Sequence, residues 1–191
     1  MPFRGTLRVL LTAVLAALTT AGLSLSPAYA AVPVGQDVII SGYASNWYLS
    51  TDFQTVAEGQ RVQIWDRDPM ANNGAGSVWR LSPRGDGSYS ISPSEPYGSN
   101  PRFCLSNEKA PNSSGEGAVW VRRCNSSDSR QAWWISETSS RSYVHTIVPV
   151  NDTDYALGPY RGLPAADTYV NVTRQWGGTP STVQMWKINP A

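Results

Sequence analysis

One four-part pattern runs through this chain three times, and a self-similar period fixes an architecture before any single strand is assigned. The clearest line is Ser77-Val78-Trp79-Arg80-Leu81-Ser82, then Gln131-Ala132-Trp133-Trp134-Ile135-Ser136, then Gln184-Met185-Trp186-Lys187-Ile188-Asn189. Its tryptophans Trp79, Trp133 and Trp186 are 54 and 53 positions apart. A second line is Tyr48-Leu49-Ser50, Cys104-Leu105-Ser106 and Ala156-Leu157-Gly158. A third is Val62-Gln63-Ile64, Val119-Trp120-Val121 and Val170-Asn171-Val172, each alternating with the two-residue period of a strand. A weaker fourth is Val38-Ile39-Ile40, Tyr89-Ser90-Ile91 and Val144-His145-Thr146-Ile147. Four lines recurring three times predict twelve short strands.

The intervening segments are turn-forming, as in Asn72-Asn73-Gly74-Ala75-Gly76, Pro83-Arg84-Gly85-Asp86-Gly87 and Gly177-Gly178-Thr179-Pro180. No helical periodicity follows residue 30, so the expected class is all-β. A sandwich would also accommodate many short strands. The threefold recurrence of one unit in one internal order favours a pseudo-threefold barrel instead, with repeats at about 36–82, 83–136 and 137–191.

The start of the chain reads as a secretory signal over residues 1–30, with Arg4 and Arg8, an apolar stretch from Leu7 to Leu18 and the small-residue site Ala28-Tyr29-Ala30. The stretch is broken by Thr12, Thr19 and Thr20 and is too short for a membrane span, which needs about 20 largely apolar residues. Residues 31–191 then fit a single exported domain, so the expected location is outside the cell. A net charge of +1 with 15% charged residues gives no footprint for nucleic acid or an anionic membrane. Cys104 and Cys124 are the only cysteines, and in an oxidising compartment the expected state is a structural bridge. Two thiols and the lone His145 do not make the four-ligand spacing of a structural zinc site, so no metal and no cofactor is expected.

The recurring Gln-x-Trp of Gln131-Ala132-Trp133 and Gln184-Met185-Trp186 resembles the signature of the ricin-type β-trefoil lectins, and the likeness runs from about residue 36 to 189. Ser77 replaces the Gln in the first repeat while Trp79 remains. The placement of Cys104 before the second-line leucine and of Cys124 after the third line is similar to the within-repeat disulfide of that family. The resemblance implies a β-trefoil of three four-stranded repeats that binds glycan or polysaccharide. The tryptophans of the Gln-x-Trp line are expected to fill the barrel, an argument about fold alone.

The family's sugar site uses an Asp after the second-line hydrophobic residue, an aromatic platform ending the third line and an Asn before the Gln-x-Trp. Here Ser50, Ser106 and Gly158 stand at the Asp positions, Gly76, Arg130 and Val183 at the Asn positions, and Arg122 and Thr173 at two of the platforms. The first repeat alone keeps the family's Gln and aromatic, as Gln63 and Trp65. A sugar site needs an aromatic face for the C–H side of the ring and polar groups for its hydroxyls. Trp65 is the expected face, with Gln63, Asp52, Asp66, Asn72 and Asn73 as polar partners. A third-repeat group of Tyr160, Asp152, Asp154 and Asn171 is the lesser candidate.

Catalysis has little support. No base stands beside a nucleophile in any motif, and Asp152 and Asp154 sit in Asn151-Asp152-Thr153-Asp154, where turn chemistry explains them. Arg84-Gly85-Asp86 has the form of an adhesion tripeptide and equally that of a hairpin turn. Asn112, Asn125, Asn151 and Asn171 begin glycosylation sequons. The expected function is a secreted, non-catalytic carbohydrate-binding module. The alternative is a protein-binding trefoil, such as a protease inhibitor or toxin-like binding subunit, whose partner is a secreted or cell-surface protein.

Overall fold

A computed structural model describes residues 32–45, 47–51, 56–66, 76–94, 102–108, 116–138, 143–175 and 177–191. The expected signal segment lies outside these residues, as do Asp52, Asn72, Asn73 and Asn112. No helix among the described residues is long and apolar enough to cross a membrane.

Twelve strands are described, and they fall on the four lines of the sequence. The first repeat supplies β1 (Asp37–Gly42), β2 (Tyr48–Thr51), β3 (Val62–Trp65) and β4 (Trp79–Pro83). The second supplies β5 (Tyr89–Pro93), β6 (Phe103–Asn107), β7 (Glu116–Arg123) and β8 (Trp133–Glu137). The third supplies β9 (Val144–Pro149), β10 (Tyr155–Pro159), β11 (Val170–Arg174) and β12 (Met185–Pro190). Strands β12, β9, β8, β5, β4 and β1 pair in that order, and β12 pairs back onto β1, closing a six-stranded barrel. The hairpins β2–β3, β6–β7 and β10–β11 remain outside that ring, the last two joined in a four-stranded sheet. This is a β-trefoil.

Each tryptophan of the Gln-x-Trp line joins barrel to hairpin in its own repeat. Trp79, Trp133 and Trp186 are at most 1% exposed. A buried indole N–H needs an acceptor, and all three use the same one: Nε1 donates to Leu49 O at 2.8 Å, Leu105 O at 3.0 Å and Leu157 O at 3.0 Å. Around the barrel they face Val38, Tyr89 and His145 across neighbouring strands, so the threefold relation holds in the pairing register. The core is completed by the alternate residues of the third strands, Val62 and Ile64, Val119 and Val121, Val170 and Val172, all at most 2% exposed. Cys104 and Cys124 are disulfide-bonded, with Cα atoms 5.0 Å apart, and fasten the start of β6 to the residue after β7.

Candidate functional site

Because Val62 and Ile64 point into the core, Gln63 and Trp65 point the other way, a two-residue period that also governs their partners on β2. Tyr48 lies opposite Trp65, and Ser50 opposite Gln63. The corresponding pairs are Cys104 with Arg122 and Ser106 with Trp120 in the second repeat, and Ala156 with Thr173 and Gly158 with Asn171 in the third. The three repeats treat this outward row differently.

In the third repeat the row is closed by the protein itself. Gln184 Nε2 donates to both the carbonyl and the hydroxyl of Thr173 at 2.8 Å, and Arg61 donates to Asn171 Oδ1 at 3.0 Å. A Cβ at Gly158 would lie 3.2 Å from Gln184 Cγ, so a side chain at this Asp position would press on the motif glutamine. In the second repeat Arg122 is committed to Glu108 at 2.7 Å and also stacks near Trp120, 5.3 Å from its ring centre. That hydrogen bond pulls the Glu108 carboxyl below its ordinary value and raises the Arg122 guanidinium.

In the first repeat Ser50 is fully buried and its hydroxyl lies 2.9 Å from that of Ser77, so the residues replacing the family's Asp and motif Gln hold each other. Gln63 is 3% exposed, and its Nε2 makes no hydrogen bond with a described residue. Trp65 is partly exposed at the end of β3, and Asp66 beyond it is exposed. The structure thus brings Gln63, Trp65 and Asp66 together on one strand end, with Gln63 sealed below the surface. Asp52, Asn72 and Asn73, the other expected partners, are outside the described residues.

Two features were not anticipated. The first is the work of the motif glutamines, each closing a short 3₁₀ turn, at Ser129–Gln131 and Thr182–Gln184. Gln131 accepts from Asn125 N at 2.8 Å and donates to Arg123 O at 2.9 Å, tying the end of β7 to the turn that leads into β8. The second is a ring of contacts between repeats. Arg61 pairs with Trp120, Ala118 with Asn171, and Tyr169 with Gln63, one relation rotated three times. The Arg61 guanidinium lies between two rings, 4.9 Å from that of Trp120 and 4.3 Å from that of Tyr169. The sequence signal was available, since Arg61, Ala118 and Tyr169 each stand two residues before the centre of the third line.

The lesser third-repeat group is split. Asp152 and Asp154 precede β10 while Tyr160 follows it, about 20 Å apart at a strand rise of ~3.3 Å per residue. Asn171 is 5% exposed and committed to Arg61. Burial, with the neighbouring Asp154 charge, raises the Asp152 carboxyl. Asp154 instead lines an open polar depression of about 400 Å³ with Thr153, Arg174, Gln175, Gly177 and Gly178.

Arg84-Gly85-Asp86 forms the β4–β5 turn, and both charged side chains are bonded to the protein itself. Arg84 donates to Ser126 O at 2.5 Å, and the Asp86 carboxylate accepts from Ser88 N at 3.0 Å and its hydroxyl at 2.6 Å. The hairpin reading explains the tripeptide. Among the sequons, Asn171 is buried in β11, whereas Asn125 and Asn151 are exposed. His145 is 2% exposed inside the barrel, beside Glu137 across β8–β9, which accords with a structural place.

The geometry defines a β-trefoil, and the comparisons agree on the fold. The designed threefold-symmetric protein ThreeFoil superposes with a TM-score of 0.66 at 17% identity, over 81% of this chain and 99% of that one. The C-half of an earthworm R-type lectin, solved with GalNAc, gives 0.58 at 14% identity, over 82% and 99%. An exo-β-1,3-galactanase from Clostridium thermocellum gives 0.66 at 14% identity over 84% of this chain, which spans only 31% of the galactanase. At these identities the likeness is one of fold. No protein-family model matches the chain, and no curated protein matches it in sequence.

Proposed function

We propose that this chain is a secreted carbohydrate-binding module of the ricin-type kind, acting by binding rather than catalysis, with its site in the first repeat. The observation that carries this reading is the inequality of three pseudo-equivalent positions. All three are partly exposed, Arg122 bonded to Glu108 and Thr173 to Gln184, and of the three only Trp65 presents an aromatic ring. An aromatic face with carboxylates and amides nearby is the chemistry that saccharide recognition requires. β-Trefoils of lectins are among the structural neighbours, which supports the reading. Export rests on the first 30 residues of the sequence, and its test is N-terminal sequencing of the protein recovered from culture fluid.

The binding test is a glycan array on the mature chain followed by titration of Trp65→Ala. Losing the platform removes roughly 1–3 kcal/mol of apolar contact, a weakening of about tenfold or more in a folded variant. Unchanged affinity would place the site elsewhere. A silent array would favour the second reading, a protein-binding trefoil, for which the specific observation is the exposure of Leu163 at 63% and Tyr160 at 36% on one loop. Pull-down and a protease panel would then identify the partner class.

A further inference from the structure

The outer edge of β3 is lined by a segment of another repeat. Ile64 N donates to Thr168 O and Asp167 N donates to Ile64 O, both at 2.9 Å, and Gln63 faces Tyr169 in an antiparallel bridge. Residues directly opposite in an antiparallel pair share a face, as do positions two apart on a strand. Tyr169 therefore stands on the outward face of Gln63 and Trp65, in keeping with the Arg61 guanidinium 4.3 Å over its ring. As a diagonal neighbour of Trp65 it is roughly 7–8 Å away at the backbone. The hydrogen bond from Asp167 to Ile64 sets the Asp167 backbone beside the Ile64–Trp65 peptide.

Both residues are accessible, Tyr169 at 41% exposure and Asp167 exposed. The Asp167 carboxylate has no hydrogen bond or ion pair with any described residue, whereas those of Asp37, Asp86 and Asp128 are held by Arg80, Ser88 and Arg130. Asp167 also has a left-handed backbone, with φ of 62°. The pseudo-equivalent position, whose N–H donates to Val121 O as that of Asp167 donates to Ile64 O, is Gly59 with φ of 83°. The hydrogen bond from Thr168 N to Ala165 O at 3.1 Å makes Asp167 the third residue of a turn, as that from Gln60 N to Ala57 O at 3.2 Å makes Gly59, so a turn position suited to glycine carries here an exposed, unpaired carboxylate beside the partly exposed Trp65.

We propose that the first-repeat site is completed by the third repeat. Trp65 is the platform, Asp167 supplies the hydroxyl-pairing carboxylate that Ser50 does not, and Tyr169 is a second platform. The ligand class is then an oligosaccharide whose unit over Trp65 has two adjacent free hydroxyls, since a carboxylate can accept from both at once. A second linked unit lies over Tyr169. The proposal rests on the carbohydrate reading above.

The experiment is calorimetric titration of the wild-type chain and folded variants with mono- and oligosaccharides, including N-acetylgalactosamine and β-1,3-linked galacto-oligosaccharides. Asp167→Asn keeps a residue that tolerates the left-handed backbone and removes the charge. It should weaken all binding ten- to hundredfold, the range for hydrogen bonds to charged groups. Tyr169→Ala should erase the advantage of oligosaccharide over monosaccharide, and Tyr169→Phe, which keeps the ring, should retain it. If Trp65→Ala abolishes binding while Asp167→Asn and Tyr169→Ala bind as wild type, the shared site is wrong and the carbohydrate reading stands. Wild-type protein that binds no saccharide overturns both. Should Tyr169→Ala fail to fold, Asp167→Asn decides alone.

Discussion

Replacing Gln184 by Ala tests the structural meaning of the Gln-x-Trp motif. The side chain is 2% exposed. Its Nε2 donates to Thr173 O and Oγ1 at 2.8 Å each, and its Oε1 accepts from Ser181 N at 2.9 Å and Ser181 Oγ at 3.2 Å. Truncation strands the Ser181 N–H and the Thr173 carbonyl in a partly buried site, and an orphaned buried group costs about 1–3 kcal/mol. The sum expected for Gln184→Ala is about 2–4 kcal/mol. At roughly 2–4 °C per kcal/mol for a domain of this size, the melting temperature should fall by about 5–15 °C. Gln131→Ala should match it, because Gln131 likewise bridges two backbone groups, Asn125 N and Arg123 O. Ser77→Ala should cost only about 1 kcal/mol, since Ser77 makes one hydroxyl contact, with Ser50. Urea denaturation followed by tryptophan fluorescence gives all three values. A Gln184→Ala variant within about 0.5 kcal/mol of wild type, or a Ser77→Ala variant that costs more, would refute the argument.

Removing the disulfide by Cys104→Ala with Cys124→Ala reopens a loop of 20 residues and should cost about 3 kcal/mol, read from the same denaturation curves. Burial pushes the His145 imidazole below its ordinary value of 6.5, against the opposing pull of Glu137. The unfolded chain then binds a proton that the folded chain refuses. Stability is therefore full above pH 6.5 and lost as pH falls below it, by up to about 1.4 kcal/mol per pH unit. Denaturation midpoints measured on either side of that value check the sign, and His145→Phe should flatten the dependence. Asp167→Gly should relieve a left-handed backbone and stabilise the fold by about 0.5–1 kcal/mol, measured as a rise in melting temperature.

Much of the trefoil was legible in the chain because its units are local. A strand declares itself by a two-residue alternation, as Val62, Gln63 and Ile64 do, and a recurring unit declares its symmetry by its spacing, as Trp79, Trp133 and Trp186 do. The pairing of Cys104 with Cys124 followed from there being only two cysteines in a chain read as exported. Closure of the barrel by β12 against β1 is the step that brings the ends of this pattern together.

The candidate site was legible only in part, since its decisive contacts join residues far apart in the chain. Trp65 could be picked out as the aromatic ending a third line and Gln184 as a motif glutamine, but that Arg122 bonds to Glu108 and Thr173 to Gln184 is decided by elements that meet only in the fold. The burial of Gln63 beneath its neighbours, the separation of Asp152 and Asp154 from Tyr160, and the seat of Arg61 between Trp120 and Tyr169 were likewise settled in three dimensions. Alternation says which face of a strand a side chain takes, a property of the backbone at that residue. Which element of another repeat then covers that face is set when the three units close on one another, and that closure placed Asp167 and Tyr169 beside Trp65.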